Sequence, residues 1–143
     1  MTISRTEASE LAVAAREAAG HAYCPYSGFR VGAAVLDGDG RIFRGCNVEN
    51  ASYGLTICAE RNAVFQAVSH SLGATVIRAV AIYTPTPEPT APCGACRQVI
   101  NEFGPDAEVR CLCDGPGELR FRLNELLPAA FGPGNLGAAR PES

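Results

Sequence analysis

Apolar positions along the chain fall into a few short runs whose spacing predicts most of the elements. Leu11, Ala14, Ala15 and Ala18 recur at helical spacing and predict a first helix over about Glu7 to Ala19, capped by Thr6 or Ser4 and ended by Gly20. Val31 to Leu36 is apolar throughout and predicts a buried strand. Asp37-Gly38-Asp39-Gly40 is a hairpin signal, and a second strand follows from Arg41 to about Val48. Ala59, Ala63, Val64, Ala67 and Val68 define a helix from Cys58 to about His70. Ile77 to Tyr83 predicts a central strand covered on both faces. Four prolines between Thr84 and Pro92 then forbid regular structure. Val99, Ile100 and Phe103 mark a third helix, opened by Cys93 and Cys96. Glu108 to Cys113 and Leu119 to Leu123 are further strands, and Asn124 can cap a short helix over Glu125 to Leu127. The order αββαβαββ(α) predicts an α/β domain of three layers, α/β/α, around a five-stranded mixed sheet.

Length sets the scale. With 143 residues there is room for one core, so residues 1–131 are predicted to form a single domain and residues 132–143, rich in Gly and Pro at their start, a flexible tail. Twelve basic and 15 acidic residues give a net charge of −3, which argues against a nucleic-acid partner. No apolar run approaches the roughly 18 residues of a membrane span, and no secretory signal precedes the first helix. A soluble, cytoplasmic chain is the expectation. Seven cysteines fit a reducing compartment as ligands plus buried thiols; Cys24, Cys46, Cys111 and Cys113, with His21 and His70, read as structural.

Chemistry concentrates at two helix starts. Cys58-Ala59-Glu60 is answered by Pro92-Cys93-Gly94-Ala95-Cys96, which offers three thiolates, a carboxylate two residues after the first, and no fourth protein ligand. Three protein ligands leave a zinc ion one open position, the arrangement of catalytic rather than structural sites. Zinc so held lowers the pKa of bound water toward about 7, and Glu60 is placed to carry the proton released. First helical turns suit thiolates, because the dipole and free N–H groups there favour anions. Arg61 and Arg97, directly after the two motifs, are further candidates for neutralising them. A redox reading of Cys93 and Cys96, or plain buried thiols, is the competing one; the paired helix starts favour zinc.

Four motifs in order, Gly45-Cys46-Asn47-Val48-Glu49-Asn50-Ala51, Cys58-Ala59-Glu60-Arg61, Pro92-Cys93-Gly94-Ala95-Cys96-Arg97-Gln98 and Leu126-Leu127-Pro128-Ala129-Ala130-Phe131, resemble the small, homotetrameric, zinc-dependent cytidine deaminases. The likeness runs from Tyr26 to Phe131. It implies a cytidine-deaminase-like fold, zinc on Cys58, Cys93 and Cys96, and Glu60 as the group that moves protons from the attacking water to N3 and to the departing amine. It further implies that Asn47 and Glu49 hold ribose hydroxyls, that the Ala59 backbone and Phe29 contact the base, that Arg61 neutralises thiolate charge, and that Phe131 closes a neighbouring subunit's base pocket. Ser52 departs from the family pattern, where a small apolar residue is expected.

The implied reaction is hydrolytic deamination of cytidine and 2′-deoxycytidine in pyrimidine salvage. A structural zinc module would want a fourth Cys or His near Cys58. A nucleic-acid deaminase would usually show His in its place, with a basic face. The closest rival is a deaminase of a cytosine-containing aminonucleoside antibiotic, which should lack the loop Asn47-Val48-Glu49-Asn50.

Overall fold

The computed structural model describes residues 2–138. Helix α1 (Arg5–Ala19) begins at Ser4, whose hydroxyl accepts from the Glu7 amide while the Glu7 carboxylate accepts from the Ser4 amide. Strands β1 (Gly32–Asp37) and β2 (Ile42–Cys46) form the predicted hairpin. Then come α2 (Ala59–Ser69), β3 (Ile77–Tyr83), α3 (Gly94–Phe103), β4 (Glu108–Leu112), β5 (Leu119–Arg122) and α4 (Leu123–Leu126).

The sheet order is β2-β1-β3-β4-β5; β3 and β4 run parallel and every other neighbouring pair antiparallel, so the sheet is mixed as expected. Side chains alternate across it. Ala34 and Leu36 of β1, with Ala79 and Ala81 of β3, meet Leu11, Ala14 and Ala15 of α1. Ala33, Val35, Val80 and Ile82 face the other way, onto Ala59, Ala63, Val64 and Ala67 of α2 and Ile100 of α3. Because β1 and β3 are covered on both faces, their sequences read as near-continuous apolar runs. Small residues on both sides let helices and sheet approach closely.

Several boundaries differ from the sequence reading, three of them with a visible cause. β2 stops at Cys46, because the Asn47 side chain accepts from the Val31 amide that the next ladder bond would use and the Asn47 carbonyl accepts from Tyr23 instead, while Val48 makes only isolated bridges to Tyr23 and Ile57. Asn124 caps nothing. The fully buried Leu123 starts α4 instead of ending a strand, its N–H donates to Ala107, and the backbone of Arg122 at the N-cap is met by Glu125. Residues Pro133–Leu136 form a 3₁₀ turn with Pro133 buried, within the segment expected to be a tail; residues 139–143 of that segment lie outside the described residues.

One contact fixes where α2 begins. A Cβ on Gly45 would overlap the Ala59 carbonyl oxygen and the Ala63 amide nitrogen, so the first turn of α2 lies directly on the backbone of β2. Asn62 closes the same joint from the helix side, its amide donating to the Cys46 carbonyl at 2.8 Å. Gly45→Ala is expected to cost about 1–3 kcal/mol of stability through overpacking, read as a lower thermal midpoint. An unchanged midpoint would show that α2 has room to retreat.

Candidate active site

Cys58 is the N-cap of α2 and Cys93 the N-cap of α3; neither side chain is used as a cap, and Cys96 lies in the first turn of α3. Helix placement therefore turns all three sulfurs toward one point. They lie within 4.8 Å of one another, with Cys58 Sγ 3.9 Å from Cys93 Sγ and Cys93 Sγ 3.5 Å from Cys96 Sγ. Zinc bonded to thiolates at about 2.3 Å in a tetrahedron leaves neighbouring sulfurs about 3.8 Å apart, so the set fits the ion.

The charge arrangement fits as well. Arg61 Nη2 donates to Cys58 Sγ at 3.4 Å, while Arg61 Nε is buried with no hydrogen-bond partner, so a guanidinium stands committed to this cluster. The Cys58 thiol is brought down to about 5, chiefly by a hydrogen bond from Cys96 and then by Arg61. Cys96 shifts the opposite way, because the proton it shares with Cys58 stays on it. A hydrogen bond and a guanidinium thus both favour a thiolate at Cys58. Arg97 does not join it: its Nε donates to the Pro92 carbonyl at 2.8 Å and its Nη1 to the Leu126 carbonyl at 3.1 Å, so it braces loop and C-terminal segment instead of neutralising sulfur.

Beside the sulfurs opens a cavity of about 270 Å³, lined among others by Phe29, Asn47, Glu49, Cys58, Ala59, Glu60 and Cys93. Glu60 is only 5% exposed. Burial, with the charge of Cys58 adding to it, pushes its carboxyl up to about 7 in the metal-free chain. A carboxyl near neutrality can both take and return a proton at physiological pH. Ala59 forms the wall beside it and Phe29, 41% exposed, the rim.

At the far end the polar groups are already engaged. Asn47 accepts from the Val31 amide at 2.9 Å and donates to the Phe29 carbonyl at 2.7 Å. Glu49 Oε1 accepts from the amides of Tyr26 and Ser27 at 3.0 and 3.1 Å, and Oε2 accepts from the Ser27 hydroxyl, which holds the carboxyl below its ordinary range. Both residues hold up the loop 26–31 that carries Phe29. Four acceptor positions on a carboxylate leave Glu49 room for a further donor.

Sequence reasoning missed several lining residues, among them Ser27, Thr56, Thr84 and Thr90. Thr84 follows the end of β3, and the carboxyl ends of parallel strands are where α/β sheets open crevices; that position was the available signal. Phe131 is not among the lining residues of its own chain's cavity and is 57% exposed. Cys111 and Cys113 are buried, Cys111 pushed up to about 12 by its burial, and Cys24 and Cys46 are half-buried. All seven thiols are free.

Residues 5–113 match the family model for the cytidine and deoxycytidylate deaminase zinc-binding region. The chain belongs to this family. It is similar to a cytidine deaminase of Halalkalibacterium halodurans, 49% identical over 121 residues, which are 84% of this chain and 88% of that one. A cytidine deaminase of Mycobacterium tuberculosis is 49% identical over 118 residues, 82% of this chain and 84% of the relative. The crystal structure of cytidine deaminase from Burkholderia pseudomallei superposes with a TM-score of 0.80 at 44% identity, covering 90% of this chain and 100% of that one. This deaminase is therefore a zinc-dependent hydrolase, and these relatives give the antibiotic alternative no support. Among the described residues no helix is long and apolar enough to cross a membrane.

The purified deaminase is expected to carry one zinc per chain, and Cys58→Ala to lose it. Elemental analysis decides: active protein without zinc, or a Cys58→Ala protein that keeps it, would contradict the ligand set.

Proposed function

We propose that the chain converts cytidine and 2′-deoxycytidine, with water, to uridine and 2′-deoxyuridine plus ammonia, as a step of pyrimidine salvage. The observation that carries this reading is Glu60, a carboxyl only 5% exposed that lines the same cavity as Cys58 and Cys93. Cys58, Cys93 and Cys96 are the proposed zinc ligands. Zinc there supplies a Lewis acid that brings the pKa of water toward about 7.

Glu60 takes the proton that the attacking water gives up and delivers it to N3 of the ring, and then moves a second proton to the amine that leaves C4. One group does both because the two proton transfers happen on the same side of one carbon, within hydrogen-bond reach of a single carboxyl. Its burial keeps bulk water from supplying the proton. Arg61 offsets the thiolate charge, so that the cluster does not repel the carboxylate of Glu60 more than the chemistry tolerates. Ala59 presents backbone to the base and Phe29 packs on its face. Asn47 and Glu49 meet the sugar hydroxyls with what remains of their hydrogen-bonding capacity, so the sugar docks onto a loop that they have already ordered.

Phe131 acts in trans on this reading. It reaches into the base pocket of a neighbouring chain within a homotetramer, which accounts for a large aromatic left exposed at the root of the tail. Residues 1–131 make the catalytic domain, and the compartment is the cytoplasm.

Glu60→Gln keeps size and removes the proton carrier. The variant should retain zinc and substrate binding while kcat falls by about 10²–10⁴-fold; near-normal turnover or loss of zinc would remove Glu60 from its role. Glu60→Ala should be nearly inactive and Phe131→Ala poorly active at cytidine concentrations well below its KM, and refolding them together should create hybrid sites with intact Glu60 and intact Phe131 from different chains. Activity above the sum of the two preparations is the expected result. Hybrid oligomers, verified by mass, without that gain would confine Phe131 to its own chain.

A further inference from the structure

The segment that carries Phe131 is fastened to α3, the helix that also carries Cys96 and starts at Cys93. Arg97 Nη1 holds the Leu126 carbonyl at 3.1 Å. Gln98 Nε2 and Asn101 Nδ2 both donate to the carbonyl of Phe131 itself, at 2.9 and 3.2 Å. A carbonyl oxygen has two lone pairs, and here both are claimed from one helix. Between these anchor points the chain passes through Ala129 at φ 53°, the one non-glycine residue with positive φ among the described residues. A left-handed alanine persists where its surroundings over-determine the backbone, and such positions gather at functional sites. The Phe131 ring is 57% exposed, so its place is set through its backbone and not by packing in the core.

We infer that Gln98 and Asn101 are positioning residues for substrate, acting by clamping the Phe131 backbone so that the ring is presented in one geometry. The clamp also ties that geometry to the start of α3, so the aromatic offered to a base pocket is referenced to the same helix that brings Cys93 and Cys96 to the metal cluster. This rests on the reading of Phe131 as a residue that closes a base pocket. A plain loop anchor would affect stability alone; a clamp that presents a substrate contact affects KM.

Gln98 is half-buried, and Gln98→Met keeps its length while removing the donor. In the full-length, zinc-loaded enzyme, KM for cytidine should rise about three- to tenfold, the equivalent of one hydrogen bond. Turnover, zinc content and thermal midpoint should stay near those of the parent, and the amides of Leu127 and of residues 129–131 should exchange faster with deuterium. Gln98→Glu, which turns an oxygen toward the carbonyl, should raise KM at least as much. Phe131→Ala is the reference: it should raise KM alone, and Gln98→Met should add nothing in that background. If Phe131→Ala raises KM while Gln98→Met leaves it unchanged, or multiplies with it in full, the clamp is overturned and the role of Phe131 stands. If Phe131→Ala leaves KM unchanged, the base-closing role fails, and the clamp fails with it as a device for positioning substrate.

Discussion

Everything in this molecule depends on two helix starts meeting at one point. Cys58 and Cys93 are 35 residues apart in the chain, yet their sulfurs stand 3.9 Å from each other. The sheet makes that possible: α2 follows β2, α3 follows β3, and both lie on the face lined by Ala33, Val35, Val80 and Ile82. The tolerance is narrow, since sulfurs that share a tetrahedral ion have little freedom in their spacing. Glycine and alanine at the contacts supply the necessary closeness. Gly45 lets α2 rest on the backbone of β2, and Ala59, Ala63 and Ala67 are fully buried. A larger side chain at any of these would lift the helix and move Cys58 with it.

The same placement decides the chemistry available to Glu60. Two residues beyond the N-cap Cys58, it lies on the inner side of the first turn of α2 and is almost wholly buried, yet it reaches the cavity. A surface glutamate in a first turn would be a dipole-complementing anion with an ordinary acidity. Packed under the sheet face and beside a thiolate, this one is raised to about 7. Close packing of helix and sheet thus does two things at once: it brings the three sulfurs together and it raises the carboxyl of Glu60.

Much of this was legible in the sequence, because periodicity and cysteine spacing report directly on which residues share a face. Ile77 to Tyr83 is the central strand as read, Leu11, Ala14, Ala15 and Ala18 are the buried face of α1, and the three motif cysteines do converge. What failed to show was anything decided by tertiary hydrogen bonds. Arg97 follows a motif cysteine as Arg61 does, but α3 turns it toward the carbonyls of Pro92 and Leu126. The engagement of Asn47 with Phe29 and Val31, and of Glu49 with the turn at Tyr26 and Ser27, depends on a loop folding back across β2. No local pattern announces that. The strand end at Cys46 was missed for the same reason, since the polar side chain that follows competes for backbone groups the ladder would otherwise use.

Charge is what three neighbouring sulfurs have to manage. Three thiolates side by side would repel one another strongly, and a hydrogen bond from Cys96 together with the Arg61 guanidinium favours the thiolate of Cys58. Metal binding by cysteine thiols is coupled to proton release. On the proposed ligand set, three thiolate charges would be met by two from the ion and one from Arg61, which brings the cluster close to neutral. Neutrality matters to Glu60, whose acidity responds to the charge of Cys58. An uncompensated cluster would push that carboxyl further up and leave it unable to accept a proton; a cluster carrying net positive charge would pull it down and leave it unable to give one back.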